Sequence, residues 1–159
     1  MINKKHKGIW FYGISGSGKT QASLYLKKYI ENSIILDGDE IRKKISFDLG
    51  YSIKDRKIQI RRIFGIMSLL LKNKIFPIVS TVYLDQHMNK KLINKKILTI
   101  QLFRNLELIK NRKSIYSKKT RNVVGKDIKI PSLKKDIKIV NNKTKKEFQK
   151  KLYKLIHAR

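Results

Sequence analysis

Residues 8–20 read GIWFYGISGSGKT, and the reading of this stretch decides the fold. Its start is a short aromatic and β-branched run ended by glycine, which predicts a buried strand. Residues 13–20, GISGSGKT, then complete the pattern G-x-x-x-x-G-K-S/T. Gly13, Gly16 and Gly18 let the backbone curl, so that N–H groups around Ser15 and Ser17 point inward at a phosphate. The helix expected from Lys19 to about Glu31 adds the positive end of its dipole. Lys19 supplies a point charge to the β- and γ-phosphates of a nucleotide, and Thr20 offers a hydroxyl to Mg²⁺. A strand before the loop and a helix after it predict a site for ATP or GTP.

Outward from the loop, strands and helices alternate. SIILD (33–37) is a second strand, and residues 39–47 form a short helix capped by Asp39. From Lys54 to Asn73 runs a long helix. Its Ile60, Ile63, Phe64, Met67, Leu70 and Leu71 make one apolar stripe at helical spacing. IFPIVSTVY (75–83) and KILTIQLF (96–103) are further strands, DIKIVNN (136–142) is a weaker fifth, and residues 145–158 close as an amphipathic helix. Residues 113–135, basic and aperiodic, read as a mobile surface connector. This order predicts an α/β protein with a mostly parallel five-stranded sheet covered on both faces, and ligands at the carboxyl ends of its strands. A single domain over 1–159, with a basic lid at about 113–130, is expected.

Composition excludes several classes. The chain of 159 residues has no cysteine, so it builds no disulfide and no thiolate metal site. The formal net charge of +28 invites a nucleic-acid reading. The excess is lysine rather than arginine, spread along the chain with much Ile and Asn, a bias that AT-rich coding produces. No base-reading signature accompanies it, and a small polyanionic substrate suits such a surface as well. No segment approaches the ~20 apolar residues of a membrane span. The lysines before the apolar GIWFYGI lead straight into the loop without a cleavage-like site, so a cytoplasmic protein is expected.

Length argues against a motor ATPase, and a GTPase would need a base-reading motif such as N-K-x-D, which is absent. A metabolite kinase remains. Asp37 and Asp39 are two apart and in an extended stretch project the same way. Opposite the loop they would position a metal-bound water and orient an acceptor hydroxyl. Arg42 follows on the same helix. Arg56 and Gln59 share one side of the next helix start, where a guanidinium makes an anion site. Tyr51 reads equally as a stacking platform or as core.

GISGSGKT, LDGDEIR (36–42), DLGYSIKDRKIQIRRI (48–63) and PIVST (77–81), in this order and spacing, resemble adenylylsulfate (APS) kinases. The resemblance covers roughly Ile9 to Asn141 and implies a P-loop NTPase fold with three α/β/α layers. It also implies ATP and Mg²⁺ as cofactors and the ribose 3′-hydroxyl of adenosine 5′-phosphosulfate as acceptor. Carried over by position, Asp39 meets the hydroxyl and the metal's water, with Thr20 on the metal, and Asp37 supports it. Arg42 and Arg56 hold the acceptor's 5′ anion, and Tyr51 stacks on its base. Gln59, Val82 and Val123 complete the acceptor set, while Lys113 and Tyr116 belong to the closing lid. The implied partner is a small nucleotide, not nucleic acid or membrane, with a homodimer as the assembly entertained.

The sequence departs from that pattern at several positions. Gln59 stands where the family usually has Asn, KSIY (113–116) stands for K-G-L-Y, and Tyr83 replaces a serine that is sometimes phosphorylated, which excludes a phosphoserine there. Most telling, NVVG (122–125) puts Val123 where a family phenylalanine sandwiches the adenine. Losing one stacking face weakens base binding by about 1–3 kcal/mol. The alternative acceptor is therefore a smaller base, as in cytidine diphosphoramidate kinase of capsule modification, to which the resemblance extends. A non-catalytic ATP- or nucleic-acid-binding module is the reading from another class.

Overall fold

The structure, a computed structural model, describes residues 6–110, 115–116, 120–133 and 137–157. The element order is β1 (Gly8–Tyr12), α1 (Lys19–Lys27), β2 (Ser33–Asp37), α2 (Gly38–Lys44), α3 (Ile53–Lys72), β3 (Phe76–Thr81), α4 (Gln86–Asn94), β4 (Ile97–Phe103), α5 (Leu106–Lys110), β5 (Ile137–Val140) and α6 (Lys145–His157). The five strands form one sheet in the order β2-β3-β1-β4-β5. All of its pairings are parallel, where the sequence predicted a mostly parallel sheet. The order reverses beside β1, the switch point at which such sheets bind ligands.

Alternation along β1 divides the core. Trp10 and Tyr12 face α3 and α4, packing with Ile60, Ile63 and Met67 of the predicted stripe and with Met88 and Leu92. Ile9 and Phe11 face the opposite layer, against Ala22 and Leu26 of α1 and Phe148, Leu152 and Leu155 of α6. Every residue of β1 is buried, as a strand covered on both faces must be.

The structure corrects the sequence reading at five points. Helix α1 stops at Lys27, short of Glu31, and Asn32 beyond it takes a left-handed φ of 47°. Helix α2 is capped by Asp37, not Asp39: the Asp37 carboxylate accepts from the N–H groups of Asp39 and Glu40. Asp37 ends β2 while Asp39 already lies in α2, so the two do not share an extended stretch. Helix α4 was not foreseen, although Asp85 caps it by accepting from Met88 N. Finally, the basic connector is not wholly a surface segment. Val123, Val124, Ile128 and Leu133 are buried, because a turn closed by Gly125 N–H to Ile128 O (2.8 Å) folds these aliphatics inward.

Helix α3 begins where the sequence placed it to within one residue. Ser52 and Asp55 form a reciprocal capping box: the Ser52 hydroxyl accepts from Asp55 N (3.1 Å), and the Asp55 carboxylate accepts from Ser52 N (3.2 Å).

Candidate functional site

The loop between β1 and α1 sits at the carboxyl edge of the sheet. Gly13, Gly16 and Gly18 take φ values of 150°, 77° and 101°, a backbone that side-chain-bearing residues rarely adopt. Space forbids a side chain as well. A Cβ on Gly13 would strike the Leu102 carbonyl, and one on Gly18 would lie 2.6 Å from Asn141 Nδ2. That amide donates to Ser17 O (3.0 Å), so the end of β5 braces the loop from behind. Gly18→Ala is expected to cost about 1–3 kcal/mol in backbone strain, beyond the displaced brace. Thermal unfolding should show a clearly lower Tm than wild type.

Lys19 curls over the loop, its ammonium donating to Gly13 O and Ile14 O at 2.8 Å each. Burial pushes its pKa down to about 8, and the charges of Asp39 and Asp37 only partly offset this. Across from it, Thr20 Oγ1 donates to Asp37 Oδ2 at 3.1 Å. The same carboxylate thus joins the loop helix to the start of α2. Asp39 is exposed beside it.

Two guanidiniums close the other side. Arg42 donates to the carbonyls of Leu49 and Gly50, and Arg56 donates to Asn122 O at 2.8 Å. Both are buried, and their Cζ atoms lie 4.9 and 5.6 Å from the centroid of the Tyr51 ring. Tyr51 itself is 55% exposed, so it is a platform over cations rather than core. Burial and then Arg42 lower the Arg56 pKa. Gln59 donates to Gly38 O (3.1 Å) and so pins the turn carrying Asp37 and Asp39.

These groups line one cleft of about 570 Å³. Of the residues singled out in the sequence, Ser15, Gly16, Gly18, Lys19, Thr20, Asp37 and Asp39 line it at the loop end. Arg42, Tyr51, Arg56, Gln59, Val82 and Val123 line the rest. Gly13 and Ser17 are not among the lining residues; Ser17 is fully buried within the loop. Lys113 lies outside the described residues. Sequence reasoning missed three neighbours. Asn141 braces the loop and Arg104 enters the cleft from the end of β4. Thr81, also in the lining, accepts from Trp10 Nε1 (2.8 Å) and donates to Tyr83 O (3.0 Å).

Among the buried polar atoms of the cleft wall, Arg56 Nε and Gln59 Oε1 have no hydrogen-bond partner among the described residues. Unpaired buried polar atoms are costly, and a polar ligand would satisfy both. For a divalent cation the donor set is the Thr20 hydroxyl and the Asp37 and Asp39 carboxylates, hard oxygens that suit Mg²⁺. Among the described residues no group of three or more His, Cys, Asp or Glu could hold a metal. A cation here would therefore depend on a nucleotide's phosphates, as the sequence motif implies.

A glycine loop with its lysine at the switch point of a parallel sheet, facing carboxylates across a cleft, defines a phosphate-loop nucleotide-binding protein of the α/β class. The chain belongs to the adenylylsulphate kinase family, whose model matches residues 5–129. It is 35% identical over 131 residues to adenylyl-sulfate kinase of Clostridium acetobutylicum, covering 77% of this chain and 65% of that one. To the enzyme of Buchnera aphidicola from Schizaphis graminum it is 37% identical over 106 residues, 62% of this chain and 50% of that one. The chain thus spans about half to two thirds of the length of these relatives. In fold it is similar to the APS kinase of Mycobacterium tuberculosis in complex with AMPPNP and APS, with a TM-score of 0.79 at 23% identity over 95% of each chain. It is also similar to a gluconokinase of Sinorhizobium meliloti, with a TM-score of 0.66 at 15% identity, covering 94% and 91%.

Proposed function

We propose that this chain is an ATP-dependent kinase that phosphorylates the ribose 3′-hydroxyl of adenosine 5′-phosphosulfate. The observation that carries the reading is the single cleft that sets Lys19 and Thr20 opposite Asp39, Arg42, Tyr51 and Arg56. Family membership supports the choice of acceptor.

In this reading residues 13–20 seat the ATP phosphates. The acceptor lies on Tyr51, with its 5′ anion on Arg42 and Arg56 and its hydroxyl at Asp39. The hydroxyl oxygen attacks the γ-phosphorus in line, and a new P–O ester bond forms. The bond between that phosphorus and the β,γ-bridging oxygen breaks, ADP leaves, and Asp39 takes the hydroxyl proton. Lys19 leaves its two loop carbonyls to meet the charge growing on the phosphates. Thr20 and, through a water, Asp39 would hold Mg²⁺, which would supply charge neutralisation at the phosphates. The lid, about 113–130, would close over this site as part of a single domain spanning 1–159. The partner is a small nucleotide rather than nucleic acid or membrane, in a cytoplasmic protein, with a homodimer as the assembly entertained.

ADP release with ATP·Mg²⁺ tests the reading, with APS and cytidine diphosphate derivatives, the diphosphoramidate among them, offered as acceptors. Turnover with APS supports it. Turnover only with the cytidine compound would replace it with the second reading, which one observation favours: the buried Val123 lines the cleft with an aliphatic side chain rather than a ring. ATP binding without turnover on any acceptor would favour a non-catalytic module.

Two further results are expected. Arg56→Ala should raise the acceptor KM roughly 10- to 100-fold, the worth of a charged hydrogen bond, with little change in kcat; steady-state kinetics checks both. ATP affinity should also fall with pH. The phosphates favour the protonated lysine, and Lys19 loses its proton at about pH 8 in the free protein. Binding is therefore undiminished below that pH and weakens roughly tenfold for each unit above it. Titration calorimetry at pH 7 and pH 9 should show this loss with proton uptake, and Lys19→Met should flatten the profile.

A further inference from the structure

A second concavity lies behind the phosphate loop, between the end of β4 and the turn at 123–130. Its volume is about 650 Å³, within the range of small-molecule sites. The floor is aliphatic, made by Ile14, Leu102, Leu106, Ile128 and Ile130. The cations Arg104, Lys126, Lys129 and Lys138 surround it, and no carboxylate of the described residues is in its lining. The one acidic side chain of the adjoining turn, Asp127, is engaged by Val123 N–H at 2.9 Å.

The rim carries an aromatic ring as well. Phe103 is 40% exposed, and the Lys138 ammonium lies 4.5 Å from its centroid. The ring and the aliphatic floor together make one apolar surface, which the cation–π pair covers only in part. Arg104 is the structural link to the catalytic cleft, because it lines both cavities. Its Nε is buried without a hydrogen-bond partner among the described residues, and a guanidinium is a bidentate partner for a phosphate.

The wall is built rather than fortuitous. Gly125 takes a φ of +92°, and a Cβ there would meet Ile14 Cγ2 at 2.7 Å. The turn is thereby pressed against the residue that follows the first glycine of the phosphate loop.

We propose that this groove is a second, separate site for a nucleoside monophosphate. The base stacks on Phe103, the ribose lies on the aliphatic floor, and the phosphate is held by Arg104 and Lys138. A flat ring suits the exposed phenyl, and a dianion suits cations with no carboxylate among them. The proposal does not depend on the acceptor assigned to the catalytic cleft.

The test uses the whole chain and N-methylanthraniloyl-AMP as probe, read by fluorescence anisotropy. Four proteins are compared: wild type, Lys19→Glu, Lys138→Glu and Phe103→Ser. Lys138 and Phe103 are exposed, and thermal unfolding verifies that both groove variants fold. The expected result is a class of sites that survives in Lys19→Glu and weakens at least about tenfold in each groove variant, as loss of a stacking ring does. Loss of all binding in Lys19→Glu would place the probe in the catalytic cleft and overturn the proposal. Groove variants that bind as wild type would overturn it too. Absence of ADP release with APS would sink the kinase reading and leave this binding result untouched, so the two failures are distinguishable.

Discussion

Asp39→Asn is expected to lower kcat by about 10²–10⁴-fold, the usual worth of a positioned general base, while ATP binding changes little. The substitution keeps the side chain's shape and removes only its charge and its ability to take a proton. It leaves the fold alone, because the helix start is capped by Asp37 and not by Asp39. Asp39 also favours the protonated forms of Lys19 and Arg56 through space, so its neutral analogue should shift the pH dependence of ATP binding slightly downward. Rapid-quench or coupled-assay kinetics beside a calorimetric ATP titration separates the two effects. Near-normal kcat in Asp39→Asn would remove it as the base and direct attention to Asp37.

Lys19→Ala should cost roughly 10²–10³-fold in kcat, as deletion of one preorganised donor does elsewhere, and should weaken ATP binding in addition. In the free protein the ammonium is held by two carbonyls of its own loop. In the proposed reaction it gives up those bonds for phosphates, so that part of its binding energy is spent on exchange and the remainder appears where charge grows during transfer. Arginine is not a substitute, since a planar fork does not fit the place of a compact ammonium between Gly13 O and Ile14 O. Lys19→Arg is therefore expected to fail alongside Lys19→Ala, and a Lys19→Arg enzyme with wild-type kcat would contradict the curled geometry.

The elements legible in the sequence were those with strong local signals. The stripe from Ile60 to Leu71 marked α3, whose start is set by a capping box at Ser52 that the reading of the sequence did not name. The glycines of residues 13–20 marked the loop, because their conformations leave no alternative residue. Helix α4 was harder: Met88 and Leu92 are its buried apolar anchors, too few to form a stripe, and only Asp85 hinted at a start. Asp37 and Asp39 were read as a pair on one strand, yet the chain turns into a helix between them, and alternation ceases to apply. Asn141 could not be found locally at all, since it meets Ser17 across 124 residues. Arg104 and the burial of Val123 and Val124 likewise depend on which segments the sheet order brings together. The cleft's residue types were thus visible early, but its walls come from distant parts of the chain.

The chain has one tryptophan, Trp10, on the central strand with its indole N–H bonded to Thr81. Thr81 lies in the wall of the cleft. The protein therefore carries its own optical reporter, one hydrogen bond from a residue of the cleft wall. A ligand that draws on the Thr81 hydroxyl changes the indole's hydrogen bond and shifts its emission, while unfolding exposes the same ring to water and shifts it further to the red. Both titrations proposed for the cleft can then be followed without a label, in a signal that arises from a single residue.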